Sequence, residues 1–162
     1  MLCLAEGEGR NAVFLAERGF QVTGVDGSKV GLEKAKRLAR ERGVKLETIV
    51  ADLREYDPGS ARWDAIVSIW CHLPPDLRAA LHPKLVTALA PGGVLLLEHY
   101  HPRQLEYRTG GPPDAKLLVT REELERDFAS LSVLHAFEGE RDVHEGSGHG
   151  GASYVTQLIA RR

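Results

Sequence analysis

Four short stretches in the first half of the chain carry side chains that could hold a nucleoside. The first is Ala5-Glu6-Gly7-Glu8-Gly9-Arg10-Asn11, which leads straight into a helical pattern. Glycines two apart let backbone approach a ligand closely, and a helix start offers free N–H groups to an anionic group. The second is Asp26, seventeen positions beyond Gly9 and followed by Gly27 and Ser28. A carboxylate there can accept from two ribose hydroxyls. The third is Ala51-Asp52-Leu53, whose acid can accept from an amino group such as that of adenine. The fourth is Ile69-Trp70-Cys71-His72, at the end of the apolar run WDAIVSIW. Each has a plain structural alternative, because glycine turns are common and an aspartate often caps a helix or closes a turn. Together, on four successive strand ends, they outline an adenosine pocket.

The elements that must position these residues alternate along the chain. Strands are predicted at Met1–Ala5, Phe20–Val25, Leu46–Val50, Trp63–Trp70 and Val94–His99. Helices are predicted at Arg10–Arg18, ended by Gly19, at Lys29–Arg42, capped by Ser28, and from Pro75 to about Leu89 with a kink or break at Pro83. Pro91-Gly92-Gly93 reads as a turn. Strands alternating with helices of this length argue for a parallel sheet built from right-handed crossovers. The tail changes style. His101–Leu118 reads as a long loop, Thr120 and Glu123 as a capping box for a short helix, and Leu131–Glu140 and Ser153–Ala160 as two strands with no helix between them. The expected fold is therefore α/β and Rossmann-like. It is one domain over residues 1–162, a seven-stranded mixed sheet, mostly parallel with the last strand antiparallel, and helices on both faces.

Composition narrows the function classes. The 162 residues carry 21 Lys+Arg against 23 Asp+Glu, a formal net charge of -2, so no basic field marks a general nucleic-acid binder. No apolar run reaches the roughly 18 residues of a membrane span. Two cysteines, Cys3 and Cys71, make no disulfide framework, and a cytoplasmic setting is expected. The seven histidines show no zinc spacing, and no metal is expected.

Two cofactor classes compete for the glycine turn. Gly7 to Ala12 satisfies G-x-G-x-x-A, with an acid at about the right distance for a dinucleotide. No second mononucleotide half follows, however, and Glu6 and Glu8 would crowd a pyrophosphate with negative charge. A zwitterionic amino-acid group and a sulfonium tolerate carboxylates better.

The residues LCLAEGEGRNAVFLAERGFQVTGVDGS, the VADL step at Val50–Leu53, WDAIVSIW and the LAPGG before the fifth strand resemble class I S-adenosylmethionine-dependent methyltransferases. The pattern GEGRNAVFLA followed by GxxVTGVDxS is most similar to the tellurite-resistance and thiopurine methyltransferase-like group. The resemblance implies S-adenosyl-L-methionine as cofactor, with the backbone of Cys3–Asn11 under its methionine part. Asp26 would hold the ribose, with Gly27 and Ser28 alongside. Asp52 would face the adenine amino group and the Leu53 N–H a ring nitrogen, while Ile69, Trp70 and His72 would line the side nearest the methyl. The acid usual inside the first strand is Cys3 here, and the motif's first glycine is Ala5; Glu6 or Glu8 is expected to replace the lost contact with the methionine ammonium. The family also has helices ahead of the first motif. Because this strand begins at Met1, either truncation at an internal methionine or cover by another subunit of a homo-oligomer is expected.

Methyl transfer is an in-line displacement, so the protein's main work is to hold nucleophile and methyl in register. A thiolate needs little base, whereas an oxygen or nitrogen nucleophile needs a proton acceptor, for which histidine is suited. Candidates around the acceptor are Trp70, whose ring face attracts a cation, His72, Tyr100 and His101, and the pair His144 and His149 in the glycine-rich link EGERDVHEGSGHGG. The resemblance places a histidine and arginines near the substrate in that link, but Glu145 stands where an arginine would follow. The expected function is methyl transfer to a small molecule, a thiol, selenium or tellurium compound among the candidates. The alternatives are a catalytically silent S-adenosylmethionine-binding or partner-binding domain and a nucleotide-dependent oxidoreductase.

Overall fold

The computed structural model describes residues 1–145 and 149–162, the side chains of residues 145 and 149 excepted. Seven strands, β1 (Leu2–Leu4), β2 (Thr23–Asp26), β3 (Glu47–Val50), β4 (Trp63–Ile69), β5 (Leu89–Tyr100), β6 (Ser132–Glu145) and β7 (His149–Arg161), form one sheet in the order β3-β2-β1-β4-β5-β7-β6. β7 runs antiparallel to both β5 and β6, and the remaining pairs are parallel. This is the mixed Rossmann-like sheet expected. The direction of winding reverses between β1 and β4, which places a crevice at the carboxyl ends of those strands.

Four helices, α1 (Arg10–Glu17), α2 (Lys29–Glu41), α3 (Pro75–Ala88) and α4 (Arg121–Asp127), cover the two faces. Alternation along β1 divides the core. Leu2 and Leu4 join Leu81 and Leu85 of α3 and Leu124 of α4 on one side, while Cys3 joins Ala12 of α1 with Val22 and Val67 on the other. α2 lies against β2, β3 and α1. On the α1 side, Ile69, Val94, Leu96 and Ile159 are only half-buried. The capping box at Thr120 is present with both of its hydrogen bonds.

Three local expectations are corrected. Pro83 neither breaks nor ends α3, whose Leu77, Leu81, Leu85 and Ala88 stay buried along one stripe through it; core contact offsets the lost hydrogen bond. Pro91-Gly92-Gly93 is not a free turn, because the ladder jumps from Trp63 opposite Leu89 to Ala65 opposite Val94, and β5 absorbs the segment as a bulge. The glycine-rich link between the last strands is mostly ladder, since β6 continues to Glu145 and β7 starts at His149. Val143 is fully buried there against Tyr100, Leu118 and Val155, which pulls the strands out beyond the sheet. The long loop after β5 holds two 3-10 turns, Pro102–Glu106 and Ala115–Leu117.

The β1–α1 loop is built on left-handed residues at alternate positions, Ala5, Gly7 and Gly9, with φ of 49, 60 and 91°. Gly9 also packs against α2, where an added Cβ would stand 2.6 Å from the Ala35 methyl. Gly9 gives α1 no side-chain cap. Glu6 takes that part: its carboxylate, on a residue only 7% exposed, accepts from the Ala12 N–H at 2.8 Å and is also bonded by the Asn11 amide. Burial outweighs these bonds and pushes the Glu6 carboxyl up from 4.5 to about 7. Its folded value thus lies above its unfolded one. The stabilisation from this proton is complete below about pH 4.5 and lost as pH rises through about 7. Thermal stability should therefore fall between about pH 5 and 8, by on the order of 2–3 kcal/mol for this group. Glu6→Gln, which keeps an oxygen for Ala12 without the charge, should flatten that slope in melting curves recorded across the same range. Gly9→Ala should lower urea-unfolding stability by at least about 1–3 kcal/mol, since strain and overlap with Ala35 add.

Candidate functional site

A cavity of about 670 Å³ opens at the winding reversal, lined by Ala5, Asp26, Gly27, Ala51, Asp52 and Leu53, with Leu73, Pro74 and Leu77 from the start of α3. Such a volume suits a nucleoside-sized ligand. A larger groove of about 920 Å³, among Met1, Phe20, Gln21, Thr23, Trp63 and Asp64, lies at the amino ends of the strands, away from both strand-end acids.

Asp26 ends β2 and fixes the loop across from it. Its Oδ2 accepts from the Gly7 N–H at 2.8 Å and its Oδ1 from the Ser28 N–H at 2.6 Å. Ser28 in turn caps α2 by accepting from Gly31. A carboxylate has about four lone-pair positions, so two more donors can be received at the cavity wall. Asp52 holds its own turn through the Arg54 N–H at 2.9 Å and leaves its side chain 54% exposed. Leu53 beside it is buried.

The acids of the first loop are placed differently from expectation. Glu6 points beneath α1 and is spent on its amides, because an uncapped helix start attracts the nearest carboxylate. Glu8 is exposed and paired with Lys34 at 2.5 Å, which holds its carboxyl below the usual range. Neither residue lines the cavity, so the expected contact of Glu6 or Glu8 with a methionine ammonium has no direct support in this geometry. Arg10 is exposed at the start of α1, and Asn11 is half-buried.

The second cluster follows β4. Trp70 takes a left-handed backbone with φ of 57°, and its N–H donates to the Glu98 carbonyl at 2.9 Å. Its ring stacks on Tyr100 at 4.3 Å, and His72 stacks on Tyr100 at 5.5 Å. The structure thus brings Trp70, His72 and Tyr100 together next to half-buried Ile69, with Tyr100 fully buried as their support. Cys71, between Trp70 and His72 in the chain, is buried in the main core, which pushes its thiol up to about 12 and leaves it unreactive.

His101 does not join this group. It caps the following 3-10 turn by accepting from the Arg103 N–H, packs on Tyr154 at 4.9 Å, and sits 3.5 Å from Glu138. His144 is exposed on the β6 arm, 3.6 Å from Asp142. His149 opens β7, and its side chain lies outside the described residues. Among the described residues, no group of three or more metal-ligating side chains converges.

Sequence reasoning missed five residues. His99 is buried behind His72, edge-on at 5.6 Å, and burial holds it well below its usual value, hence neutral. Glu98 accepts from Arg141 at 2.7 Å and from Gln157 at 3.1 Å, which joins β5 to both arm strands. An acid directly after the apolar run VLLL is its signal. Leu73, Pro74 and Leu77 carry no polar group to mark them, although a helix opened by Pro75 just after a strand must start at this rim.

Residues 1–93 match the family described as methyltransferase domain, more than half of the chain. Two relatives are a 2-heptyl-1-hydroxyquinolin-4(1H)-one methyltransferase of Mycobacteroides abscessus, 34% identical over 53% of this chain and 39% of that protein, and a glycine/sarcosine N-methyltransferase of Halorhodospira halochloris, 38% identical over 60% and 38%. The chain therefore spans about two-fifths of the length of these curated relatives. The solved structure of TehB from Haemophilus influenzae superposes with a TM-score of 0.79 over 99% of this chain and 57% of that one, at 17% identity, which speaks for the fold alone. By its ordered motifs, its sheet and this match, the chain belongs to the methyltransferase-domain family.

Proposed function

We propose that this protein is a methyltransferase that binds S-adenosyl-L-methionine in the cavity between Asp26 and Asp52 and transfers its methyl group to a small molecule. The observation that carries the reading is the first loop. The α1 amides that a dinucleotide fold would offer to a pyrophosphate are already taken by Glu6, while Asp26 keeps lone pairs free at the cavity. A diphosphate would find those amides occupied and the Asp26 charge beside the loop, which favours a sulfonium and an ammonium instead. This argues against the oxidoreductase alternative. The match to the family favours an enzyme over a silent binder.

The residues fit this cofactor in type and place. Asp26 receives the ribose hydroxyls with Gly27 and Ser28 beside it, and Asp52 and Leu53 face the base from the opposite strand end. The backbone of Ala5–Asn11 carries the amino-acid part. When bound, the cofactor supplies an electrophilic methyl. Trp70 presents a ring beside it, and the Tyr100 stack holds that ring in one orientation. His72, on the same stack, is the candidate to take a proton from an oxygen or nitrogen nucleophile that reaches its buried ring nitrogens. His144 and His149 on the arm are the candidates for the outer wall.

The acceptor separates two readings. The motif similarity to the tellurite-resistance and thiopurine methyltransferase-like group favours a thiol, selenium or tellurium compound, for which no base is needed. The two relatives are named for a hydroxyquinolinone and for glycine and sarcosine, acceptors that carry a proton. Rates with a thiol, a selenide, a primary amine and a hydroxyquinolinone, for wild type and His72→Ala, distinguish them. Loss of rate confined to the amine and hydroxyl acceptors is expected if His72 is the base.

Calorimetry should show binding of S-adenosylmethionine and S-adenosylhomocysteine and none of NAD. Asp26→Ala should lower that affinity by at least about tenfold, since each charge-assisted hydrogen bond lost is worth about 1.5–3 kcal/mol. Tight NAD binding with no response to S-adenosylhomocysteine would overturn the assignment.

A further inference from the structure

We infer that Glu6 couples cofactor binding to the release of a proton, so that affinity depends on solution pH. The inference rests on the cofactor reading above and goes beyond it, because Glu6 is a positioning residue that need not touch the ligand.

Glu6 is the buried carboxylate of the loop, beneath the strand-end cavity rather than in it. It is bounded on every side. The Cys3 thiol faces it from β1, and the amides of Asn11 and Ala12 face it from α1. From β2, Gly24 lies so close that an added Cβ would stand 3.1 Å from the Glu6 side chain, and the Asp26 carboxylate acts on it through space. α2 meets the loop with Gly31 and Ala35, which carry no charge. Cys3 stays a thiol, since burial and Glu6 both push it up. Asp26 is thus the one charged group facing Glu6 among those neighbours, and it bears on the cavity as well.

Charge at the cavity wall is therefore felt by Glu6. In the free protein the Asp26 charge and the dry surroundings both favour the protonated acid. A bound cation reverses the first of these. The sulfonium and ammonium of the cofactor would lie against the loop whose Gly7 amide Asp26 holds, and they stabilise a carboxylate on its far side. The O–H bond of Glu6 breaks, the electron pair stays on the carboxylate, and the proton passes to buffer. The carboxylate then accepts more strongly from Ala12 and Asn11, which tightens the start of α1 under the ligand.

The test is calorimetric titration of S-adenosylmethionine into the whole chain at pH 6, 7 and 8, each in two buffers of different ionisation heat. Wild type should release part of a proton at pH 7 and bind up to about tenfold more tightly at pH 8 than at pH 6, the limit for one group near 7. Glu6→Gln should lose this release and this slope, keeping only the pH dependence that the cofactor's own amino group brings. The same release and slope in Glu6→Gln, or none in wild type, overturns the inference while leaving the cofactor reading intact; absence of binding at every pH overturns both. If Glu6→Gln does not fold, carbon-13 NMR of the Glu6 carboxyl in wild type decides. Its titration should move to lower pH on adding cofactor, and an unmoved titration overturns the inference.

Discussion

The hydrogen bond from the Gly7 amide to Asp26 ties two otherwise separate strand ends into one site. It fixes the β1–α1 loop against the end of β2, and with the Ser28 amide on its other oxygen it also sets the start of α2. Both helices of the α1 side thus take their direction from one carboxylate. The loop can be drawn there only because Ala5, Gly7 and Gly9 turn through left-handed conformations, and Gly9 leaves room for Ala35. The cavity follows, with Ala5 and Asp26 as one wall and Asp52 and Leu53 as another.

A second constraint is electrostatic. Placing Glu6 under α1 costs desolvation, offset by two helix amides that would otherwise lack partners. The arrangement removes the anion-binding capacity of that helix start and leaves a loop flanked by acids. Ligand choice then follows from charge: the same glycine spacing that suits a diphosphate in other chains suits a cation here. The aromatic stack of Trp70, Tyr100 and His72 extends this preference to the end of β4.

The long arm formed by β6 and β7 lies beyond β5 at the edge of the sheet. Glu98, Arg141 and Gln157 bind it to β5, and Val143, Val155, Leu118 and Tyr100 pack its base. The element that carries His144 and His149 is therefore anchored at its base. The strand-end cavity and the projecting arm are separate parts of the fold, and the two relatives are named for different acceptors.

The sequence by itself determined the element order, the mixed sheet and the four strand ends that carry the candidate binding residues. These follow from local patterns: apolar runs of strand length, caps at Ser28 and Thr120, and acids at the ends of β2 and β3. It also carried the family, since ordered motifs survive where overall identity is low. Only the tertiary structure decided where side chains point. Glu6 and Glu8 are two residues apart and chemically alike, yet one is buried under a helix and the other pairs with Lys34 in solvent. Tyr100 and His101 are adjacent, but strand alternation sends one beneath Trp70 and the other to Tyr154 and Glu138. The continuation of α3 through Pro83 and the length of the β6–β7 arm were likewise settled by burial. Local propensity measures a residue against its neighbours in the chain, and these outcomes depended on neighbours that only folding supplies.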